Sequence, residues 1–175
     1  MSVGRLERYK GHQHVLRAMP EILARRPDAR LWIAGEGPYE PTLRRLAERL
    51  GVSARVEIRA VPMRDRAGMA AALAGAALVT VLSDYETHPL AVLEAAALGR
   101  PVLVTATSGL QELAERGMAR AIPLRSRPEQ VAAAALQLLT QPPVPRSVPL
   151  PTWDECATDL LALYQEVLEG APCVS

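Results

Sequence analysis

The chain has 175 residues, with 20 Lys plus Arg against 19 acidic residues and a net charge of +1. Hydrophobic residues make up 49% and charged residues 22%, a globular composition that excludes disorder and is long enough for one core. The balanced charge and the 3% aromatic content, with no Phe at all, exclude a global basic field and a stacking platform, so no nucleic-acid partner is expected.

Short apolar runs alternate with longer helical stretches along the chain. The runs VGRL (3–6), ARLWIAG (29–35), RVEIRA (55–60), ALVTVLS (77–83), RPVLVT (100–105) and RAIPL (120–124) predict strands. Between them, helices are predicted over 12–26, 39–50, 65–74, 89–98, 109–116 and 128–140. In the second of these, Leu43, Leu46, Ala47 and Leu50 recur at helical spacing, and Gly51 follows as a C-cap glycine. Pro20 interrupts the first helix and predicts a kink.

Strands with few polar interruptions, each followed by a helix, suit an α/β fold. The expected architecture is a doubly wound, Rossmann-like parallel sheet of about six strands with helices on both faces. This domain is read over residues 1–140. Residues 141–151, QPPVPRSVPLP, contain five prolines and read as an extended connector. Residues 152–170 then hold a last helix, 152–169, whose Trp153, Ala157, Leu160, Tyr164 and Leu168 form a stripe that must be buried on something.

The Ala-rich apolar stretches are too short and too weakly apolar for a spanning helix, and MSVGRLERYKGH lacks the apolar region of a signal peptide. Cys156 and Cys173 fit neither a disulfide framework nor a zinc pattern. A reduced, cytoplasmic setting is therefore expected, with Cys156 a small buried residue of the last helix.

Ligands of doubly wound folds sit at the carboxyl ends of the strands, so those positions carry the candidates. After the first strand, Arg5 offers a planar fork and Lys10 a mobile point charge for phosphate oxygens; on spacing alone they read rather as a pair of solvated surface cations. After the second, Gly35 and Gly37 of GEGP permit close backbone approach, although Glu40 occupies the third glycine position of a dinucleotide fingerprint. After the fourth, SDYETHPLAVLEAAALG places Pro89 at a helix start, leaving the amides of Leu90 and Ala91 at a positive helix end. Glu86 in the loop and Glu94 eight residues on in the helix are read as facing one crevice, where carboxylates accept hydrogen bonds from vicinal hydroxyls. Asp84-Tyr85-Glu86 and the histidines His12, His14 and His88 give no metal-ligand spacing, so no metal is expected; His12 and His14 read as surface or capping residues. Ser83, Ser108 and Ser126 have no His/Asp partners for a hydrolase triad.

Together, VGRLERYKG, LWIAGEGP, SDYETHPLAVLEAAALGRPVLVT, SGLQEL and the terminal TW…LLALY…VL resemble the C-terminal, donor-binding half of retaining glycosyltransferases of the two-domain GT-B fold (family 4 type). The resemblance runs from about residue 3 to residue 168, and Glu86 to Glu94 matches the family's Glu-x(7)-Glu signature. It implies that Arg5 and Lys10 hold the donor diphosphate, that Glu86 contacts the donor sugar and that Glu94 contacts the ribose. It further implies that backbone from Ala60 through Val61 to Met63 meets the base, and that the helix opening at Pro89, with Thr87, His88, Leu90 and Ala91, faces the distal phosphate. The implied reaction is sugar transfer from a nucleotide-sugar with retention and without a metal cofactor. The implied partner is an N-terminal acceptor-binding domain, in cis or as a separate subunit, through which alone any membrane association would come. The chain on its own is then expected to bind donor without turnover.

Two departures bear on this. Thr87-His88-Pro89 stands where the family often has Gly-aromatic-Gly, and Ala60 stands in place of the glycine usual after the third strand. The first supports an alternative, a non-catalytic nucleotide-binding or partner-binding module of the same fold. A nicotinamide-dependent dehydrogenase or epimerase is disfavoured by Glu40 and by the lack of a Tyr-x-x-x-Lys pair.

Overall fold

Strand and helix alternate along the chain in a computed structural model that describes residues 1–142, 150 and 152–169. The elements are β1 (Ser2–Val3), α1 (His12–Arg25), β2 (Leu31–Ala34), α2 (Glu40–Arg49), β3 (Val56–Ile58), α3 (Arg66–Gly75), β4 (Val79–Val81), α4 (Leu90–Ala97), β5 (Val102–Thr105), α5 (Ser108–Glu115), β6 (Arg120–Ile122), α6 (Pro128–Thr140) and α7 (Trp153–Leu168). All strand pairs are parallel, in the order β3-β2-β1-β4-β5-β6. The fold is the expected α/β, Rossmann-like one.

The strands are shorter than their apolar runs. After Val3 the chain turns at Gly4 (φ 142°), yet Gly4 N still donates to the Ala34 carbonyl at 3.1 Å and Leu6 N to that of Glu36 at 2.9 Å. The pairing continues as a loop instead of a ladder.

Period-two alternation divides the strand side chains between two cores. Leu31, Ile33, Leu82 and Leu103 pack with α1, α2 and α6, whereas Val79, Val81, Val102 and Val104 pack with α3, α4 and α5. Both faces of the sheet are thus covered, as a parallel sheet requires. α1 runs through Pro20 as one element. Its buried Leu16, Ala18, Met19 and Ile22 join the first core, and that packing outweighs the single hydrogen bond a proline deletes.

α7 begins with a reciprocal cap between Thr152 and Glu155, but none of its residues is buried. The expected stripe therefore lies open: Trp153 is 90% and Leu168 86% exposed. Cys156 is likewise exposed, not buried as expected, because α7 buries no residue against the other described residues. Most of the proline-rich connector, together with Gly170 and Cys173, lies outside the described residues. No helix among the described residues is long and apolar enough to cross a membrane.

Candidate functional site: the crevice between the β1 and β4 loops

The strand order reverses between β1 and β4, whose crossovers leave to opposite sides and open a crevice at their carboxyl ends. The loop after β1 is pinned from two directions. On the β2 side, Leu6 accepts from the Tyr39 amide at 2.8 Å, and a Cβ at Gly35 or Gly37 would overlap the backbone of Gly4 or Leu6. The close approach at both glycines is therefore to this loop. On the β4 side, Gly11 caps α1 in the left-handed region (φ 74°) and lies so close to the Leu82 carbonyl that a Cβ would overlap it. Next to it, the Asp84 amide donates to the Tyr9 carbonyl at 2.7 Å.

This stitching brings Lys10 to Glu86. Lys10 Nζ donates to Glu86 Oε1 at 2.6 Å, the two side chains being 18% and 13% exposed. The same carboxylate oxygen accepts from Ser83 Oγ at 2.8 Å. The Glu86 backbone is held as well: its amide donates to Ser108 Oγ at 3.0 Å, and its carbonyl accepts from the Gly109 amide at 2.9 Å. Thr105 Oγ1 donates to the Ser83 carbonyl at 2.5 Å and Thr107 Oγ1 to that of Asp84 at 3.0 Å. Glu86 is thus a positioned acceptor with one oxygen engaged and the other available.

Ser83 holds the Glu86 carboxylate and Ser108 its backbone amide; sequence reasoning weighed them only as nucleophiles and missed this. The usable signal was their place, since Ser83 lies just past β4 and Ser108 just past β5. His12 was misread in the same way. Instead of lying at the surface it is fully buried, with Nε2 3.1 Å from the Arg5 carbonyl and Nδ1 2.9 Å from Ser2 Oγ. The carbonyl can only accept, so the ring proton sits on Nε2 and Nδ1 accepts from the serine hydroxyl. Burial lowers the His12 pKa from its usual value, against the hydrogen bonds to the Arg5 and Gly4 backbone that raise it.

The other predicted residues fall into separate surroundings. Arg5 is 74% exposed at its side chain and pairs with Glu7 at 3.2 Å. Thr87 and His88 are exposed. Pro89 precedes α4 as its N-cap (φ −79°, ψ 81°), not as its first residue. The Leu90 amide turns back to the His88 carbonyl at 3.0 Å, which removes it from the helix-end donors expected there; Ala91 follows in the first turn. Glu94 and Leu90 line a groove of about 530 Å³ with Val61, Met63, Met69 and Leu98. Glu86 stands at Lys10 and is not among the residues lining that groove. No group of three His, Cys, Asp or Glu among the described residues is placed to hold a metal.

Residues 1–141 match the family described as glycosyl transferases, group 1. The chain belongs to that family. Its GDP-mannose-dependent α-(1-6)-phosphatidylinositol dimannoside mannosyltransferase of Mycobacterium tuberculosis is 32% identical, over 97% of this chain and 44% of that relative. The D-inositol 3-phosphate glycosyltransferase of Segniliparus rotundus is 31% identical, over 96% of this chain and 40% of that one. The chain therefore spans less than half the length of either relative. Among solved structures, the C-terminal domain of a group 1 glycosyl transferase from Francisella tularensis matches with a TM-score of 0.68 at 19% identity, covering 80% of this chain and 74% of that one. This chain thus shares the fold of that C-terminal domain.

Proposed function

We propose that this domain binds the nucleotide-sugar donor of a retaining glycosyltransferase, with the acceptor site and closure of the cleft supplied by a separate domain. The observation that carries the reading is the Lys10–Glu86 pair, held at the topological switch point by both loops. In the proposed complex Glu86 accepts from donor-sugar hydroxyls and Glu94 from the ribose, with the base against Val61 and Met63. When the anomeric C–O bond breaks, the departing diphosphate carries the negative charge. Lys10 is positioned to meet that charge, Arg5 can swing onto it because it is exposed, and the Ala91 amide at the start of α4 adds a partial positive charge. The acceptor hydroxyl forms the new bond on the face the diphosphate leaves and gives its proton to the departing diphosphate oxygen. Protein cations thus serve as the electrophilic groups, and no metal cofactor enters this step. We expect a cytoplasmic-side enzyme.

Isothermal titration with UDP, GDP, ADP and TDP and their glucose or mannose esters tests the reading. Binding of at least one nucleotide, without transfer by the isolated chain, supports it. Absence of any binding at millimolar concentration removes the donor assignment, and transfer by this chain alone removes the need for a second domain. A second reading, a binding module without turnover, is favoured by one feature: Pro89 has no N–H and the Leu90 amide is already bonded to His88. Fewer amides remain for a distal phosphate. It predicts nucleotide binding but no transfer when a complementary acceptor domain is added.

A further inference from the structure

Among the described residues, Ser108 is the one residue other than glycine with a positive φ, at 37°. It follows β5 and opens α5. The left-handed region crowds the Cβ of any residue but glycine, so the chain stores strain at this point. Packing does not explain that strain, because Ser108 is exposed and belongs to neither core. A glycine would take the same backbone at no steric cost. What it would lack is the hydroxyl.

That hydroxyl is engaged. Ser108 Oγ accepts from the Glu86 amide at 3.0 Å, and the Gly109 amide donates to the Glu86 carbonyl at 2.9 Å. Two adjacent residues thus hold the peptide groups on both sides of the Glu86 Cα, which fixes its side chain at the root. The approach is close: a Cβ at Gly109 would lie 2.5 Å from the Thr87 carbonyl oxygen and 3.0 Å from that of Glu86. Thr105 and Thr107 tie down the preceding Ser83 and Asp84 carbonyls. At its far end the carboxylate is held through Oε1 by Lys10 and Ser83. With its root and one oxygen fixed, the second oxygen has a defined direction.

We propose that Ser108 is the positioning residue for recognition of the donor sugar: it bears backbone strain to hold the Glu86 peptide, and the orientation so fixed lets the free carboxylate oxygen take sugar hydroxyls. This role rests on the donor reading above. An acceptor already oriented loses less freedom on binding, so it binds more tightly than a loose one. In the proposed complex the diphosphate does not meet this carboxylate oxygen, and its affinity is independent of Ser108. The role therefore shows in the ratio of nucleotide-sugar affinity to nucleoside diphosphate affinity.

Three variants of the full 175-residue chain separate this from a merely structural role. Ser108→Gly removes the hydroxyl and the strain, whereas Ser108→Ala removes the hydroxyl and keeps the strain. Ser108→Thr keeps an oxygen at the γ position, but its branched side chain fits the left-handed backbone worse. Each is measured by urea denaturation and by calorimetric titration with UDP against UDP-glucose and GDP against GDP-mannose. Nucleotide-sugar affinity is expected to fall about fivefold in both Ser108→Gly and Ser108→Ala, as for the loss of one hydrogen bond, with diphosphate affinity unchanged. Ser108→Gly is expected to be more stable than Ser108→Ala, because it alone is relieved of strain. Ser108→Thr is expected to keep the parental ratio while being less stable than the parent. Exchange of the Glu86 amide hydrogen, read by NMR, is expected to quicken in Ser108→Gly and Ser108→Ala but not in Ser108→Thr. A ratio that follows stability across the three variants, or that survives loss of the hydroxyl, overturns the proposal. Glu86 amide exchange that is the same in all four proteins overturns it too. Failure of the donor reading is distinct: it appears in the unmodified chain as absence of nucleotide binding, and this role falls with it.

Discussion

Lys10 and Glu86 lie 76 residues apart in sequence yet share a hydrogen bond of 2.6 Å, the one ion pair among the described residues in which both side chains are largely shielded. The contact joins the loops after the two central strands, so one interaction both staples the crevice and holds its charges ready. Truncating either partner leaves the other half-shielded and unpaired. Lys10→Ala is therefore expected to destabilise the fold by about 1–3 kcal/mol, as for other hydrogen bonds to charged groups. It should also weaken nucleoside diphosphate binding, increasingly less so as salt rises. Thermal melts and calorimetric titration of the same variant check the two effects. An unchanged melt with unchanged affinity would make Lys10 a bystander.

Gly11 enforces that geometry from behind. Its left-handed backbone and its contact with the Leu82 carbonyl leave no room for a methyl group. Gly11→Ala combines a left-handed penalty of about 1–2 kcal/mol with an overpacking cost of about 1–3 kcal/mol. The expected outcome is a loss of stability in urea denaturation larger than that of Lys10→Ala. A variant as stable as the parent would mean that the two loops are not in the close contact seen.

The order of elements was legible because apolar runs of the right length alternate with amphipathic ones, and each predicted strand and helix occurs in place. The strand ends were not, because Gly4 redirects the chain while its neighbours continue to pair. Glu86 and Lys10 stood out as charged residues after strands. Their contact did not, since a pair separated by 76 residues depends on loop paths set by Gly11 and by backbone bonds such as Asp84 to Tyr9. His12 was opaque for a similar reason: burial of an imidazole depends on finding Ser2 Oγ and the Arg5 carbonyl, partners that local periodicity does not reveal. The open face of α7 has no counterpart in pattern analysis, because an apolar stripe reports that a surface wants covering and not by what.

His12 also gives the protein a pH response. Burial lowers its folded pKa below the unfolded value of about 6.5. Between those two values the unfolded chain binds a proton that the folded chain does not. Stability is then fully present above the unfolded pKa and is lost as pH falls toward the folded one. His14, lowered in the same direction mainly by burial, adds to the trend. Urea denaturation between pH 8 and pH 5 should show the midpoint falling below about pH 6.5. His12→Gln should be less stable at pH 8 and should lose part of this slope. A slope that is identical in the variant would assign the acid sensitivity to other groups.

The two glutamates should separate by ligand. Glu94 lines the groove with Val61 and Met63, where in the proposed complex it meets the ribose, a group common to nucleoside diphosphate and nucleotide-sugar. Glu86 is held at Lys10 and Ser83, where in the proposed complex it meets the sugar that only the full donor carries. Glu94→Gln is therefore expected to weaken both ligands by a similar factor, corresponding to about 1–2 kcal/mol for the exchange of a charged acceptor for a neutral one. Glu86→Gln should weaken the nucleotide-sugar while sparing the diphosphate. Removing the carboxylate charge frees Lys10 from its intramolecular partner, so a modest gain in diphosphate affinity is the expected sign. Parallel titrations of both ligands against both variants read the four affinities directly. Identical effects of the two substitutions on the two ligands, or a larger loss of bare diphosphate in Glu86→Gln than in Glu94→Gln, would reverse the assignment and turn attention to Thr87, His88 and Pro89, the residues through which the chain passes from one glutamate to the other.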